Sequence, residues 1–229
     1  PQPFSQSPEA YSLTVTEEGI DIAANSNRGL VYGNTTLEQL WDEQAQAYPL
    51  VAIQDYPAYS VRGVMHDVGR NFQSIDYLKK QLRQLARYKI NTFHWHLSDN
   101  PGWRIEAIRY PQLNDPANYR PGRDPGKFYT YAEIIDLFEY ARALNIQVIP
   151  ELDMPGHSEY VKETFGFGMG SWRGRRICRE LLREFFEQVP AELAPYIHIG
   201  SDEVFIPFPG NFIRGLEQVA REHGRKVIV

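Results

Sequence analysis

One cysteine, Cys178, stands among 229 residues, so no intrachain disulfide can form and the fold must rest on packing. A buried structural thiol in a helical pattern is the expectation for it. Long apolar runs are missing too. The longest, such as 147–150 and 227–229, fall far short of the ~20 residues that cross a bilayer, and no membrane-spanning helix is expected. A basic stripe is also lacking. The 24 Lys and Arg are outnumbered by 29 Asp and Glu, giving a net charge of −5. The cations scatter through helical segments, which removes the footprint that phosphate backbones require, and nucleic acid is not an expected partner. The sequence opens on Pro1 with no signal-like stretch behind it, so its start is not expected to be the native one. What remains is ordinary globular composition: 42% hydrophobic and 23% charged residues, with 17 Gly and 16 Pro. A chain of this size can bury about 70% of its unfolded surface.

Two grammars follow one another along the chain. Residues 11–24 alternate in the strand manner around Leu13, Val15, Ile20 and Ile22, with a turn at Glu18-Gly19, and predict a hairpin. Leu30, Leu37, Leu40 and Trp41 then repeat at helical spacing, with Pro49 closing the segment. Beyond Tyr56-Pro57 the pattern becomes strand, helix, strand, which is the signature of an α/β domain with parallel strands. The expected boundary lies near residue 58, dividing 1–58 from an α/β unit at 59–229. Strands are predicted at 61–68, 90–97, 147–152, 196–200 and 226–229. Amphipathic helices lie between them, striped by Ile75, Leu78, Leu82 and Leu85, by Ile134, Phe138, Ala141 and Leu144, and by Ile177, Leu181, Phe185 and Val189. An eight-unit barrel uses roughly 31 residues per unit. The first and last strand-to-strand intervals fit that length, and the two between them carry long insertions after the carboxyl ends of strands, where such barrels place their chemistry.

Those strand ends are polar. His66, Asp67 and Arg70 follow the first, and His94, His96, Ser98 and Asp99 the second. Glu151, Asp153 and His157 follow the third, and His198, Asp202 and Glu203 the fourth. Any one carboxylate could cap a helix and any one histidine could be a satisfied core residue, but four successive strands ending this way suggest a site. Asp202 and Glu203 are neighbours, and strand alternation would send them to opposite faces. Both can serve one cleft only if regular strand stops near Gly200, a bend that glycine permits. Two carboxylates in one cleft do not ionise with equal ease, so one tends to keep a proton, as a general acid must.

HIGSDEV (198–204), MHDVGR (65–70), HWHLSD (94–99) and ELDMPGHS (151–158), in this order and spacing, resemble glycoside hydrolase family 20, the β-N-acetylhexosaminidases. The resemblance runs from about residue 11 to 229, and it implies that 1–58 is the end of a small non-catalytic α+β domain and 59–229 the first part of the catalytic domain. It implies an α/β (β/α)8 TIM barrel, of which about five strands are present, with no cofactor and no metal. It also implies terminal β-linked N-acetylglucosamine or N-acetylgalactosamine on glycans as substrate. Hydrolysis would be substrate-assisted and retaining, an exception to the usual carboxylate nucleophile. In that scheme the sugar's 2-acetamido oxygen attacks the anomeric carbon and Asp202 steadies the resulting oxazolinium. Glu203 protonates the leaving oxygen and then activates water, Arg70 grips distal hydroxyls with its donor fork, and Asp99 with His157 forms a relay that tunes the acid.

Some positions depart from the family pattern. Asn100 and Pro101 stand where many relatives carry a second acid, and Ser201 replaces a smaller residue before the acidic pair. The family's later tryptophans and its acetamide-binding tyrosine fall beyond residue 229, and Trp95, Trp103 and Trp172 are not assumed to replace them, since aromatics near loops more often pack. Two other readings stay open. A metal-dependent amidohydrolase-type barrel would use His66, His94, His96 and His198 as ligands, and an inactive relative would only bind sugar. Five strands do not close a barrel, so further strands are expected from a longer polypeptide or from a second chain, for instance in a swapped dimer. The substrate class favours a secreted or periplasmic location.

Overall fold

The computed structural model describes residues 4–229, so Pro1, which opens the sequence, lies outside the described residues. Contacts divide the chain into 1–62 with 84–91, and 63–83 with 92–229.

In the leading unit, β1 (Tyr11–Val15) and β2 (Ile20–Ala24) form the hairpin, and β1 also pairs antiparallel with β3 (Val51–Asp55), giving the order β2-β1-β3. Strand β3 is short, alternates between half-buried and exposed residues, and is not among the strands that periodicity predicts. Tyr11, Leu13 and Val15 are buried on one face of the central strand against Tyr32 of α1 (Asn27–Leu40). Ser26 caps that helix by accepting from the Arg28 N–H. The helix ends at Leu40, well short of Pro49, because Asp42 accepts from the N–H groups of Gln44 and Ala45 and so holds the chain in a turn.

The second unit is built on five parallel strands: β4 (Gly63–Asp67), β5 (Thr92–His96), β8 (Gln147–Glu151), β9 (Tyr196–His198) and β10 (Lys226–Ile228). They lie side by side in the order β10-β9-β8-β5-β4. The connecting helices are α2 (Ile75–Arg87), α3 (Tyr131–Ala143), α5 (Trp172–Gln188) and α6 (Pro209–Glu222). This is a partial (β/α)8 barrel; among the described residues β4 and β10 each have a strand on one side only. On the helix-facing side, Phe93 and Trp95 are fully buried, and Trp95 packs on Phe138 of α3. The α3 stripe (Ile134, Phe138, Ala141) and the α5 stripe (Ile177, Leu181, Phe185) are buried as their spacing predicts. Thr130 and Glu133 form a reciprocal capping box at the start of α3. Cys178 is buried in α5, and burial pushes its thiol up to about 12.

Both insertions follow strand ends. The first, between β5 and α3, carries a two-stranded ribbon of β6 (Ser98–Asp99) and β7 (Gly102–Trp103). It is anchored by the fully buried Arg104, whose guanidinium donates to the carbonyls of Val68, Gly69, Arg123, Asp124 and Lys127. No motif announces that arginine, yet it fixes the insertion against the Gly69 backbone, one residue before Arg70. The second insertion, between β8 and α5, contains α4 (Glu159–Phe165). Trp95 and Trp103 are core residues, whereas Trp172 is 83% exposed.

Candidate active site

In-register pairing sets the floor of the site. Asp67 pairs with His96, His96 with Glu151, Glu151 with His198 and His198 with Ile228. One row therefore crosses all five strands at their carboxyl ends, with neighbours about 4.8 Å apart across the sheet. Side chains two residues apart share a face, so Met65, His94 and Ile149 form the row beneath.

His66 belongs to neither row. It sits between Met65 and Asp67, so alternation turns it to the other face, where its ring stacks on Phe93 at 6.2 Å and lies near Tyr77. The four-histidine ligand set loses this member for that reason.

Glu151 is the hub of the floor. Its Oε2 lies 2.6 Å from His96 Nδ1 and 2.8 Å from His94 Nε2, and its Oε1 lies 3.2 Å from His198 Nδ1. Burial alone would raise its pKa, but His198, His94 and His96 hold the carboxyl far below the usual range. His96 responds in the opposite sense. Burial opposes its charge, yet the carboxylates of Asp99 and Glu151 push it up to about 10.

Above this floor sits Asp99, 1% exposed. Its Oδ2 lies 2.8 Å from Arg70 Nη2, 3.1 Å from His96 Nε2 and 3.5 Å from His157 Nδ1, and its Oδ1 accepts from the Asn100 N–H. Burial opposes its ionisation, but His96, the Asn100 N–H, Arg70 and His157 outweigh it and keep the carboxyl below its ordinary value. Arg70 is also held by Asp67, Nη1 to Oδ2 at 2.7 Å.

The acidic pair comes from the loop after β9. Regular strand stops at His198, and the next residues turn through left-handed backbone at Gly200 (φ 61°), Ser201 (φ 79°) and Glu203 (φ 52°). Non-glycine residues held there cost of order 1–3 kcal/mol each, and such strain concentrates where function needs it. The ELDMPGH segment clamps the turn. Asp153 Oδ1 accepts from the Ser201 N–H at 3.3 Å, and Ser201 Oγ donates to the Met154 carbonyl at 2.8 Å. A Cβ at Gly200 would collide with the Asp153 carboxylate, and one at Gly156 would stand 2.7 Å from the Asp202 carbonyl. Both positions need glycine.

Asp202 and Glu203 thus leave the strand together, as the bend at Gly200 predicts. His157 Nε2 lies 3.8 Å from Asp202 Oδ2 and 3.5 Å from Glu203 Oε2. The described residues form no enclosing cleft around the pair, whose side chains are 66% and 77% exposed. Arg70, Asp99 and His157 therefore form one cluster, with Asp202 and Glu203 at its rim. Asp153 stands out in the sequence only as a polar strand end. Among the described residues it is buried without an ion-pair partner, and burial pushes it up to about 6. The signal for Glu151, His96 and Asp153 was present in the alternation of HWH and ELD.

Comparison with known families decides where this arrangement belongs. The catalytic-domain model of glycosyl hydrolase family 20 matches residues 59–210, and the model of that family's domain 2 matches residues 3–56. The chain belongs to glycosyl hydrolase family 20. A β-N-acetylhexosaminidase from Cellulomonas fimi is 33% identical, with the match covering 96% of this chain and 49% of the relative. A β-hexosaminidase from Vibrio furnissii is 42% identical over 65% of this chain and 27% of the relative. Among solved structures, the family 20 exo-β-N-acetylglucosaminidase of Vibrio harveyi in complex with N-acetylglucosamine superposes with a TM-score of 0.84 at 30% identity. That match covers 96% of this chain and 43% of the relative. The N-acetyl-β-hexosaminidase of Streptomyces plicatus superposes with a TM-score of 0.82 at 28% identity, covering 99% and 51%. This family 20 chain thus spans half or less of the length of these two curated relatives, 49% and 27%.

Proposed function

We propose that this chain carries the acid–base machinery of a β-N-acetylhexosaminidase that removes terminal β-linked N-acetylglucosamine or N-acetylgalactosamine from glycans. The observation that supports this reading is the convergence of the Arg70–Asp99–His157 cluster on the Asp202–Glu203 turn at the carboxyl ends of the strands. Glu203 is exposed enough to reach a glycosidic oxygen and is the general acid, then the base for water. Asp202, beside it, orients the 2-acetamido group and balances the positive charge that develops when its oxygen attacks C1. Arg70 keeps part of its donor fork open to solvent, its side chain 47% exposed, while two donors are fixed by Asp67 and Asp99. That leaves donors for sugar hydroxyls.

Asp202→Asn tests the assignment. In an active form of the enzyme it should weaken binding of a positively charged oxazoline mimic by about 10–100-fold, in line with the loss of one charged hydrogen bond. A neutral product sugar should bind nearly as before. Equal weakening of both ligands would remove the role given to Asp202.

One observation favours a metal reading: donor atoms of His94, Glu151 and His198 lie within 4.8 Å of one another. On the glycosidase reading this group is a hydrogen-bonded floor, and dialysis against a chelator leaves both rate and melting temperature unchanged. Stoichiometric zinc in the purified protein, with activity lost on its removal, would favour the amidohydrolase-type alternative.

A further inference from the structure

Beneath the rim, beside the Asp99–His157 pair, stand two further polar groups that are buried, His96 and Glu151. Both lie on the inward face of the sheet at 3–4% exposure, where a charged group survives only if it is paired. The pairing is ordered. His96 presents Nδ1 to Glu151 Oε2 at 2.6 Å and Nε2 to Asp99 Oδ2 at 3.1 Å. A neutral imidazole has one N–H and one lone pair, so it can satisfy only one of two carboxylates and must point its lone pair at the other. A ring with both nitrogens against carboxylate oxygens is satisfied only when both are protonated.

We propose that Glu151 and His96 are positioning residues that extend the relay inward, so that a hydrogen-bonded carboxylate–imidazolium–carboxylate chain, Glu151–His96–Asp99, backs His157, which stands 3.5 Å from Asp99 on one side and 3.5 Å from Glu203 on the other. The chain puts two cations, Arg70 and His96, on the same oxygen of Asp99. Asp99 is thereby locked as a carboxylate, and its pull on His157 is moderated. Without the His96 charge the potential at His157 and Glu203 would become more negative, and any proton held there would be lost at a higher pH. Glu151, flanked by His94, His96 and His198, acts differently. It supplies the negative charge that keeps His96 doubly protonated.

The other charged groups facing His96 fit this assignment. Asp67 on β4 adds a third negative charge near the ring, though its own Oδ2 is engaged by Arg70. Beyond β8, Asp153 is buried without a cation of its own among the described residues, and His198 on β9 contacts Glu151 rather than His96. The pushed-up titration of His96 agrees with the geometry.

This inference rests on the hexosaminidase reading only for its effect on rate, and two measurements keep the two claims apart. The first is imidazole 15N and 1H NMR across pH on the protein, in which six histidines are assigned by single substitutions. His96 should remain doubly protonated up to at least pH 8 in wild type and become neutral below pH 8 in Glu151→Gln. A His96 ring that is neutral at pH 7 in the wild-type protein overturns the proposal, whether or not the Glu151 variant folds. The second is the pH dependence of kcat/KM for an aryl N-acetylglucosaminide. Its alkaline limb should move up by about 0.5–1 pH unit in Glu151→Gln, the size expected when a nearby unit charge is partly cancelled, and return toward wild type in Glu151→Asp. An unmoved limb with an intact fold also overturns the proposal. If wild type hydrolyses no hexosaminide, the functional reading fails while the NMR result still decides the state of His96.

Discussion

Glu203→Gln lowers kcat by about 10²–10⁴-fold, the range that a positioned general acid contributes. The substitution keeps shape and removes both the transferable proton and the carboxylate that later activates water. Among the described residues the Glu203 carboxylate has no ionic contact besides the 3.5 Å approach of His157, so stability should hardly change. The loss should depend on the leaving group. A nitrophenolate leaves without protonation and conceals much of the defect, whereas a sugar alcohol does not. Kinetics on a series of aryl glycosides plus a disaccharide measures this directly. An equal loss across the series would mean that Glu203 acts on the sugar ring and not on the leaving oxygen.

The second large effect is on stability. Glu151→Ala strands His96, His94 and His198 around a void and removes the anion that satisfies them, so unfolding free energy should fall by about 3–5 kcal/mol, the cost of breaking a buried pair from one side. The pH dependence has two limbs. Glu151 is depressed in the folded protein, so its contribution is present above the unfolded carboxylate value and lost as pH falls below about 4.3. His96 is raised to about 10, so its contribution is complete below the unfolded value near 6.5 and fades as pH climbs from there toward 10. Wild type should therefore exceed Glu151→Ala by most between about pH 4.5 and 6.5, as read by urea unfolding at several pH values. A difference that stays constant across pH would show that packing, not charge, explains the loss.

Period-2 alternation made much of this legible. It placed His94 with His96, and the glycine at 200 lets Asp202 and Glu203 leave the strand together. The same rule excludes His66, because a residue between Met65 and Asp67 must face the helices; grouping histidines by type and nearness missed what parity settles. Other features were hidden for different reasons. Strand β3 has only five residues between Pro49 and Pro57, and its pairing with β1 joins segments far apart in the chain. Helix α6 begins at Pro209 after an irregular loop, and no side-chain cap marks the start of its apolar stripe of Phe212, Leu216 and Val219. Arg104 resembles any surface arginine in sequence, since carbonyls that are scattered along the chain satisfy it. The hub at Glu151 emerges only when three strands, β5, β8 and β9, are laid in register.

The central claim is that the substrate's own acetamide is the nucleophile, with Asp202 and Glu203 attending it. Rates for one aryl glycoside whose 2-acetamido group carries zero, one, two or three fluorines test it most directly, because each fluorine weakens the carbonyl oxygen as a nucleophile without changing the leaving group. Substrate assistance predicts a steep, continuous fall in kcat across the series in an active form of the enzyme, with Asp202→Asn flattening it. A rate independent of fluorination would place the nucleophile on the protein or on water, and would contradict the assignment.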